Sequence, residues 1–153
     1  MRIGVVLDRD TPALDRLATI TRLFLGGRIG DGKQWVSWIH VDDFSRAVQR
    51  FCDDRSFDGV VHVTSPNPIQ NDQMMAALRS ALHRPWSPPT PNWLVRAGAL
   101  FMRTDPALAL TGRRCIPQRL ADEGFEFDHP EFAEAIEHLL TPPTGARCSR
   151  NRP

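Results

Sequence analysis

Short apolar runs alternate with helical patterns along the first half of this chain. The run RIGVVL, residues 2–7, is rich in β-branched side chains and bounded by charge, which predicts a buried strand. Thr11 and Pro12 form an N-cap and first-turn pair, and they begin a helical pattern that continues to Gly26 and Gly27. Strand, helix and glycine loop therefore follow one another within 27 residues.

The same alternation continues as far as residue 83. The stretch KQWVSWIHV predicts extended structure, and Asp42, with Asp43 beside it, is placed to cap the helix that follows. The run VVHVT, residues 60–64, predicts a second buried strand, and the loop SPNPIQN leads into a helix with Met74 and Leu78 on its apolar face. The order β-α-β-α-β-α favours an α/β fold with at least one parallel pair of strands.

The composition changes at Arg84, where the proline-rich bend RPWSPPTPN begins. A helix is predicted over residues 93–102. A compact unit then follows over residues 116–140, with a short helix, a stop at Gly124, an FEF strand and a helix begun by Pro130. The predicted division is a β-α segment at 1–83, a small C-terminal domain at 84–140 and a disordered tail at 141–153.

Charge and composition exclude several classes of function. Nineteen basic and eighteen acidic residues give a net charge of +1, too weak a field to hold a nucleic acid. No window reaches the length of a transmembrane helix, and three cysteines without CxxC spacing favour a reducing cytoplasm. The chain contains no tyrosine, so no phenol of its own can act as a proton donor.

Several motifs occur together in the order typical of one family. They are RIGVVL, GGRIGDGKQWVSWIHVDD, SPNPIQN, LHRPW and IPQRLADEGFEFDHPEF, the last containing a P-x-R-L-x-x-x-GF-x-F-x-x-P pattern from Pro117 to Pro130. Over about residues 2–140 the chain resembles the C-terminal half of epimerase-family proteins of the extended short-chain dehydrogenase/reductase superfamily, including their small C-terminal domain of unknown function.

The resemblance implies the last strands and helices of a Rossmann-like fold, joined to a small, mostly helical lobe on the substrate side. NAD or NADP is implied for the complete fold, bound at a GxxGxxG turn, with a Tyr-x-x-x-Lys pair for proton transfer. Gly26, Gly27, Gly30 and Gly32 follow a helix rather than a strand, so they do not form that turn. We therefore predict no cofactor-binding and no catalytic residue in this chain alone.

Ser37, Trp38 and His40 are the candidates that the resemblance places at a substrate cleft. The favoured alternative is structural, with Asp42 or Asp43 capping a helix and His40 packing or hydrogen-bonding at the strand end. Val36 stands where nucleotide-sugar members of the superfamily often carry an arginine for the phosphates, which argues against such a substrate.

Metal and thiol chemistry are both expected to be absent. His40, Asp42, Asp43 and His62 have no recognised ligand spacing, so no metal site is predicted. Cys52 is expected to be a buried, inert thiol on an apolar helix face. Cys115, although it follows two arginines, has no partner base in the sequence and is expected to be structural.

Two functions remain open at this stage. The first is a partial NAD(P)-dependent epimerase or dehydratase that supplies substrate-side surface to a separate cofactor-binding half. The second is a non-catalytic binding or scaffold module, or a gene relic. In the first, the RIGVVL strand would present an apolar edge, and helix residues Leu14, Leu17 and Phe24 would be uncovered, which predicts self-association or a partner half.

Overall fold

The computed structural model describes residues 1–9, 11–54, 59–84, 86–88 and 112–141. Short strands alternate with helices along these residues. The elements are β1 (Arg2–Ile3), β2 (Val5–Leu7), α1 (Pro12–Arg22), β3 (Trp35–Val36), β4 (Trp38–His40), α2 (Val41–Asp53), β5 (His62–Val63), β6 (Ile69–Gln70), α3 (Asn71–Ala81), α4 (Gln118–Asp122) and α5 (Phe132–Leu140).

Two of the strand pairings are parallel. β1 pairs with β5, with Ile3 opposite Val63, and β2 pairs with β4, with Leu7 opposite His40. A parallel pair needs a crossover between its strands, and here α1 lies between β2 and β4 in the sequence, while α2 lies between β4 and β5. The predicted α/β class is therefore confirmed. β6 lies within the SPNPIQN stretch, which was predicted as loop, and it pairs antiparallel with β3.

Gly4 divides the predicted RIGVVL strand into β1 and β2. The backbone N–H of Gly4 donates to Val63 O at 3.1 Å, while that of Val5 donates to Ser37 O at 2.8 Å. The run thus changes its hydrogen-bonded neighbour at this residue. A Cβ atom at position 4 would lie 2.7 Å from Ser37 O and 3.0 Å from Thr64 Cγ2, so the close approach of these three segments requires glycine.

We predict that Gly4→Ala lowers the free energy of unfolding by about 1–3 kcal/mol, because the added methyl group forces backbone atoms apart. Urea unfolding of the full chain measures the change. Gly124→Ala is the matched control for added volume, since a Cβ atom there meets nothing within 4 Å, although its φ of +71° adds a backbone cost. A Gly4→Ala chain as stable as the wild type would contradict the close approach.

The hydrophobic core joins the early and late parts of the chain. One buried cluster packs Leu7, Leu14 and Trp38 against α3 and α5, and a second includes Ile39 and Leu120, together with four other apolar residues. α3 and α5 pack against each other, and Trp38 meets Phe132 edge-to-face with ring centroids 5.1 Å apart. The C-terminal unit is thus part of the same core. The domain boundary at residue 84 stays a prediction.

The ends of the helices agree only in part with those predicted from the sequence. α1 begins at Pro12 as predicted, but it ends at Arg22, before Gly26, because Leu25 N donates to Ile20 O in a turn with Phe24 at φ 59°. Gly124 does stop α4, with φ +71°. α5 begins at Phe132, two residues after Pro130.

Several other expectations are corrected. Residues 125–127 form no strand; instead Phe125 is buried and its ring meets Phe127 edge-to-face at 4.8 Å. Leu14 is buried in the core rather than uncovered, and Leu17 packs against the core, whereas Phe24 is 45% exposed.

Cys52 is exposed rather than buried. It follows Ala47 by five positions, so it is turned by about 140° from the centre of the buried face.

The predicted helix at 93–102 and the tail at 142–153 lie outside the described residues. No helix in the described part of the chain is long and apolar enough to cross a membrane.

Candidate functional site

The glycine loop after α1 serves as a cap for α3. Asp72 N donates to Gly32 O at 3.0 Å, Asn71 N donates to Gln34 O at 3.0 Å, and the Asn71 side chain accepts from Ile29 N at 2.8 Å. The N–H groups at the start of α3 therefore already have partners within the chain. This loop binds a helix end, and these N–H groups are not directed at a phosphate.

Ser37 lines a cleft of about 820 Å³ beside the parallel strands. The other walls are β1 and the start of β2, β3, β5 with Thr64, and the segment before α4. Two cationic side chains, Arg2 and Arg113, border this space, together with the half-buried Cys115. The cleft is therefore suited in charge to an anionic group.

The hydroxyl of Ser37 is engaged with the backbone. Its Oγ donates to Arg113 O at 2.7 Å and accepts from Cys115 N at 2.9 Å. A hydroxyl whose proton is held by a backbone carbonyl is not an activated nucleophile. Ser37 instead fastens the segment before α4 across the cleft, where the Arg114 guanidinium lies 4.9 Å from the Trp35 ring centroid.

Trp38 and His40 do not line the cleft of Ser37. Trp38 is fully buried in the core, and its indole Nε1 donates to Asn67 O at 3.0 Å. His40 is also fully buried, at the end of β4. Of the three predicted cleft residues, the structure places one in the cleft. Whether Ser37 contacts a substrate stays a prediction.

His40, rather than Asp42 or Asp43, is the N-cap of α2. Its Nδ1 accepts from the backbone N–H of Asp42 at 3.1 Å, while both acids lie in the first turn. Since Nδ1 accepts, the ring hydrogen of neutral His40 is on Nε2, which faces His138 Nδ1 at 3.2 Å. The His129 ring packs on His40 with centroids 3.9 Å apart. The sequence argument did not identify this role of His40.

Burial lowers the pKa of His40 below its ordinary value of 6.5. The nearby His129 and His138 rings lower this pKa further, while Asp42 and Asp43 raise it. His40 is therefore held as the neutral ring that the cap requires.

This lowered pKa predicts a loss of stability in mild acid. Below about pH 6.5 the unfolded chain takes up a proton at His40 that the folded chain does not, so the free energy of unfolding falls as pH falls. Urea unfolding at several pH values between about 7 and 5 measures this slope. His40→Asn, which keeps a capping oxygen but no titrating ring, should flatten it, and His62→Asn should not. Equal slopes in wild type and His40→Asn would contradict the prediction.

Asp43 joins α2 to the loop before α5. Its carboxylate is fully buried and accepts from Asp128 N at 2.8 Å and His129 N at 3.0 Å. Arg46, one turn along α2, donates to the same carboxylate at 3.2 Å and also pairs with Asp128. This buried acid therefore orients the loop that brings His129 next to His40.

We predict that Asp43→Ala lowers the free energy of unfolding by about 2–4 kcal/mol, because two buried N–H groups and Arg46 lose their acceptor. Asp42→Ala is the matched control. Its side chain is 57% exposed, so its removal should cost no more than about 1 kcal/mol through the helix dipole. Thermal melts of both variants provide the comparison. Similar losses in the two variants would show that the buried contacts of Asp43 contribute little.

The structure groups other side chains than the four that were considered as metal ligands from the sequence. His40 and Asp42 lie with His129 and His138. Asp43 instead binds backbone N–H groups, and His62 lines the cleft of Ser37. His129 and His138 are 89 and 98 positions from His40, so their sequence spacing gives no signal for this grouping.

Comparison with known proteins defines the class of fold first. The structure matches UDP-glucose 4-epimerase of Thermus thermophilus, solved with NAD, with a TM-score of 0.61 at 16% identity, covering 90% of this chain and 43% of that one. At this identity the match concerns the fold alone. It shows that the chain has part of a Rossmann-type α/β fold.

Closer relatives identify the family. A domain of unknown function, DUF1731, matches residues 90–139. The chloroplastic SDR39U1 homologue of Arabidopsis thaliana is 34% identical over 140 residues, 92% of this chain and 40% of that protein. Human epimerase family protein SDR39U1, solved with NADPH, gives a TM-score of 0.81 at 30% identity, covering 90% of this chain and 46% of that one.

The chain is similar to epimerase family proteins over about nine tenths of its own length, and its match to DUF1731 is consistent with the C-terminal half of such a protein. It spans less than half the length of the relatives just named. The predicted resemblance is confirmed.

Proposed function

We propose that this chain supplies the substrate-side half of an NAD(P)-dependent epimerase or dehydratase-like site and acts together with a cofactor-binding Rossmann half. The observation that carries the proposal is the cleft of Ser37, where Arg2 and Arg113 lie beside an exposed apolar strand edge. A cationic cleft binds the substrate, and the adjoining edge receives the cofactor-binding half.

The N-termini of α2 and α3 are not open to a dinucleotide. Pyrophosphate binding needs free N–H groups at a helix N-terminus. Here the first N–H groups of α3 are held by Gly32 O and Gln34 O, and Asp42 N of α2 is held by His40. Since the glycines at 26–32 also follow a helix rather than a strand, we assign NAD or NADP to the other half.

The cleft selects substrates by charge. Val36 lies in the cleft wall and brings no charge. The guanidinium groups of Arg2 and Arg113 can bind an anionic group such as a phosphate or carboxylate. Ser37 keeps Arg113 in place through its bond to the carbonyl of that residue. The role of this half is thus to bind and orient, while proton and hydride transfer take place on groups of the other half.

The strand edge gives the partner its docking surface. Ile3 and Val5 are 49% and 43% exposed, and Val60 and Ile116 add further exposed apolar area. A strand of the cofactor-binding half, or of a second copy of this chain, can extend the parallel pairs along this edge. We place this assembly in the cytoplasm, where Cys52 and Cys115 stay as the free thiols they are in the structure.

We predict that the chain alone self-associates, and that co-expression with the cofactor-binding half of a relative converts it to a defined complex. Light scattering at several concentrations measures both states. Ile3→Lys should weaken both kinds of association, because it places a charge on the edge. Ala133→Lys on the exposed face of α5 is the control and should change neither.

Titration of NADPH fluorescence in the same samples tests whether the cofactor-binding half is needed to bind NADPH. The complex should bind NADPH and the chain alone should not. A stable, dilution-resistant monomer with a cooperative melt, or saturable NADPH binding by the chain alone, would contradict the proposal. A complex that binds NADPH but turns over none of the anionic substrates offered would favour the non-catalytic scaffold instead.

A further inference from the structure

Three histidines and one aspartate from both ends of the chain meet at one point. His40 ends β4, Asp42 lies in the first turn of α2, His129 precedes α5, and His138 lies in the last turn of α5. Each side chain offers one ligand atom, and the four atoms lie within 4.8 Å of one another. Among the described residues, this is the group of imidazole and carboxylate side chains that could hold a metal ion.

The separations suit a small cation with nitrogen ligands. His40 Nε2 lies 3.2 Å from His138 Nδ1, and Asp42 Oδ2 lies 3.5 Å from His40 Nδ1 and 3.8 Å from His129 Nε2. In a tetrahedral zinc site, bond lengths of about 2.0–2.1 Å place neighbouring ligand atoms about 3.3 Å apart. The His40 and His138 nitrogens therefore already have the spacing of neighbouring zinc ligands. The ligand atom of His129 lies within 4.8 Å of them, but its ring packs on both other rings and must turn to point its nitrogen at the same centre.

The local field also favours a cation. His138 lies at the C-terminal end of α5, where the helix dipole is negative, and Asp42 brings a carboxylate. The positive N-terminus of α2 is offset by its two first-turn acids. Asp42 and His138 are exposed, so an ion has an entry path from solvent.

We propose that His40, His129 and His138 bind a divalent transition metal of the zinc class, with the Asp42 carboxylate as the outer partner of His40. In this state the hydrogen of neutral His40 leaves Nε2 and returns, through solvent, to Nδ1. Nε2 binds the metal, and Nδ1–H donates to Asp42 Oδ2. His40 then no longer accepts the backbone N–H of Asp42, which water can serve at this exposed helix end.

The bound metal would cross-link distant parts of the chain. His40 belongs to the strand-helix segment, whereas His129 and His138 flank most of α5. The remaining coordination position is open to water or a ligand. The site is separate from the cleft of Ser37, so it does not depend on the substrate-side role proposed above.

Metal titration of the full chain tests this site, with Co²⁺ as the spectroscopic probe and Zn²⁺ as the competitor. We expect one Co²⁺ per chain, with the visible absorption of a four-coordinate site, displaced by Zn²⁺. His129→Gln and His138→Gln should each weaken binding at least about tenfold, and Asp42→Asn about tenfold. His62→Gln and His83→Gln, which remove histidines outside the cluster, should leave affinity unchanged.

A second readout guards against variants that fail to fold. Zn²⁺ should raise the melting temperature of the wild type and of His62→Gln, but not that of His138→Gln, whose exposed ring can be replaced without disturbing the core. Circular dichroism verifies the fold of each variant. Absence of saturable Co²⁺ binding in the wild type, or unchanged binding in both His129→Gln and His138→Gln, would overturn the proposal.

Discussion

The buried carboxylate of Asp43 is the interaction on which the rest of this structure depends. A buried charge is tolerated only when its oxygens are hydrogen-bonded, and here backbone N–H groups of residues 128 and 129, with Arg46, meet that need. The contact joins α2 to the loop before α5. It therefore fixes the approach of the C-terminal unit to the strands, from which both core clusters and the histidine cluster follow.

Most of the residues discussed in the stretch GDGKQWVSWIHVDDF have structural roles, because they join separate segments of the chain. Gly32 caps α3, Ser37 fastens the segment before α4, Trp38 fills the core, His40 caps α2 and Asp43 holds the loop before α5. Its concentration of polar residues reflects the number of segments that converge on it. Most of these polar groups are hydrogen-bonded within the chain. The cleft residues Arg2 and Arg113 are the groups that we assign to ligand binding.

Sequence periodicity located most elements because each depends on neighbours a few residues away. Pro12 began α1, Gly124 ended α4, and the β-branched runs became strands. The histidine cluster was not predictable in this way, since contacts between distant residues, such as the bond from His129 N to Asp43, bring His129 to His40. The pairing of β6 with β3 was missed because it also joins residues that are far apart in the sequence. The capping role of His40 was missed because Asp42 is the more usual residue type for a cap.

The stabilising contacts of this chain also set the order in which it can be completed during synthesis. Arg9 Nη2 donates to His138 O, 129 positions away, and Ser37 reaches Arg113 across 76 positions. At a synthesis rate of about 5–20 residues per second, Ser37 and Arg9 wait roughly 4–26 s for these partners to be synthesised. During that interval β2 has β4 but lacks the C-terminal half of its core. The part of the core around Leu7 is therefore incomplete until α5 has been synthesised.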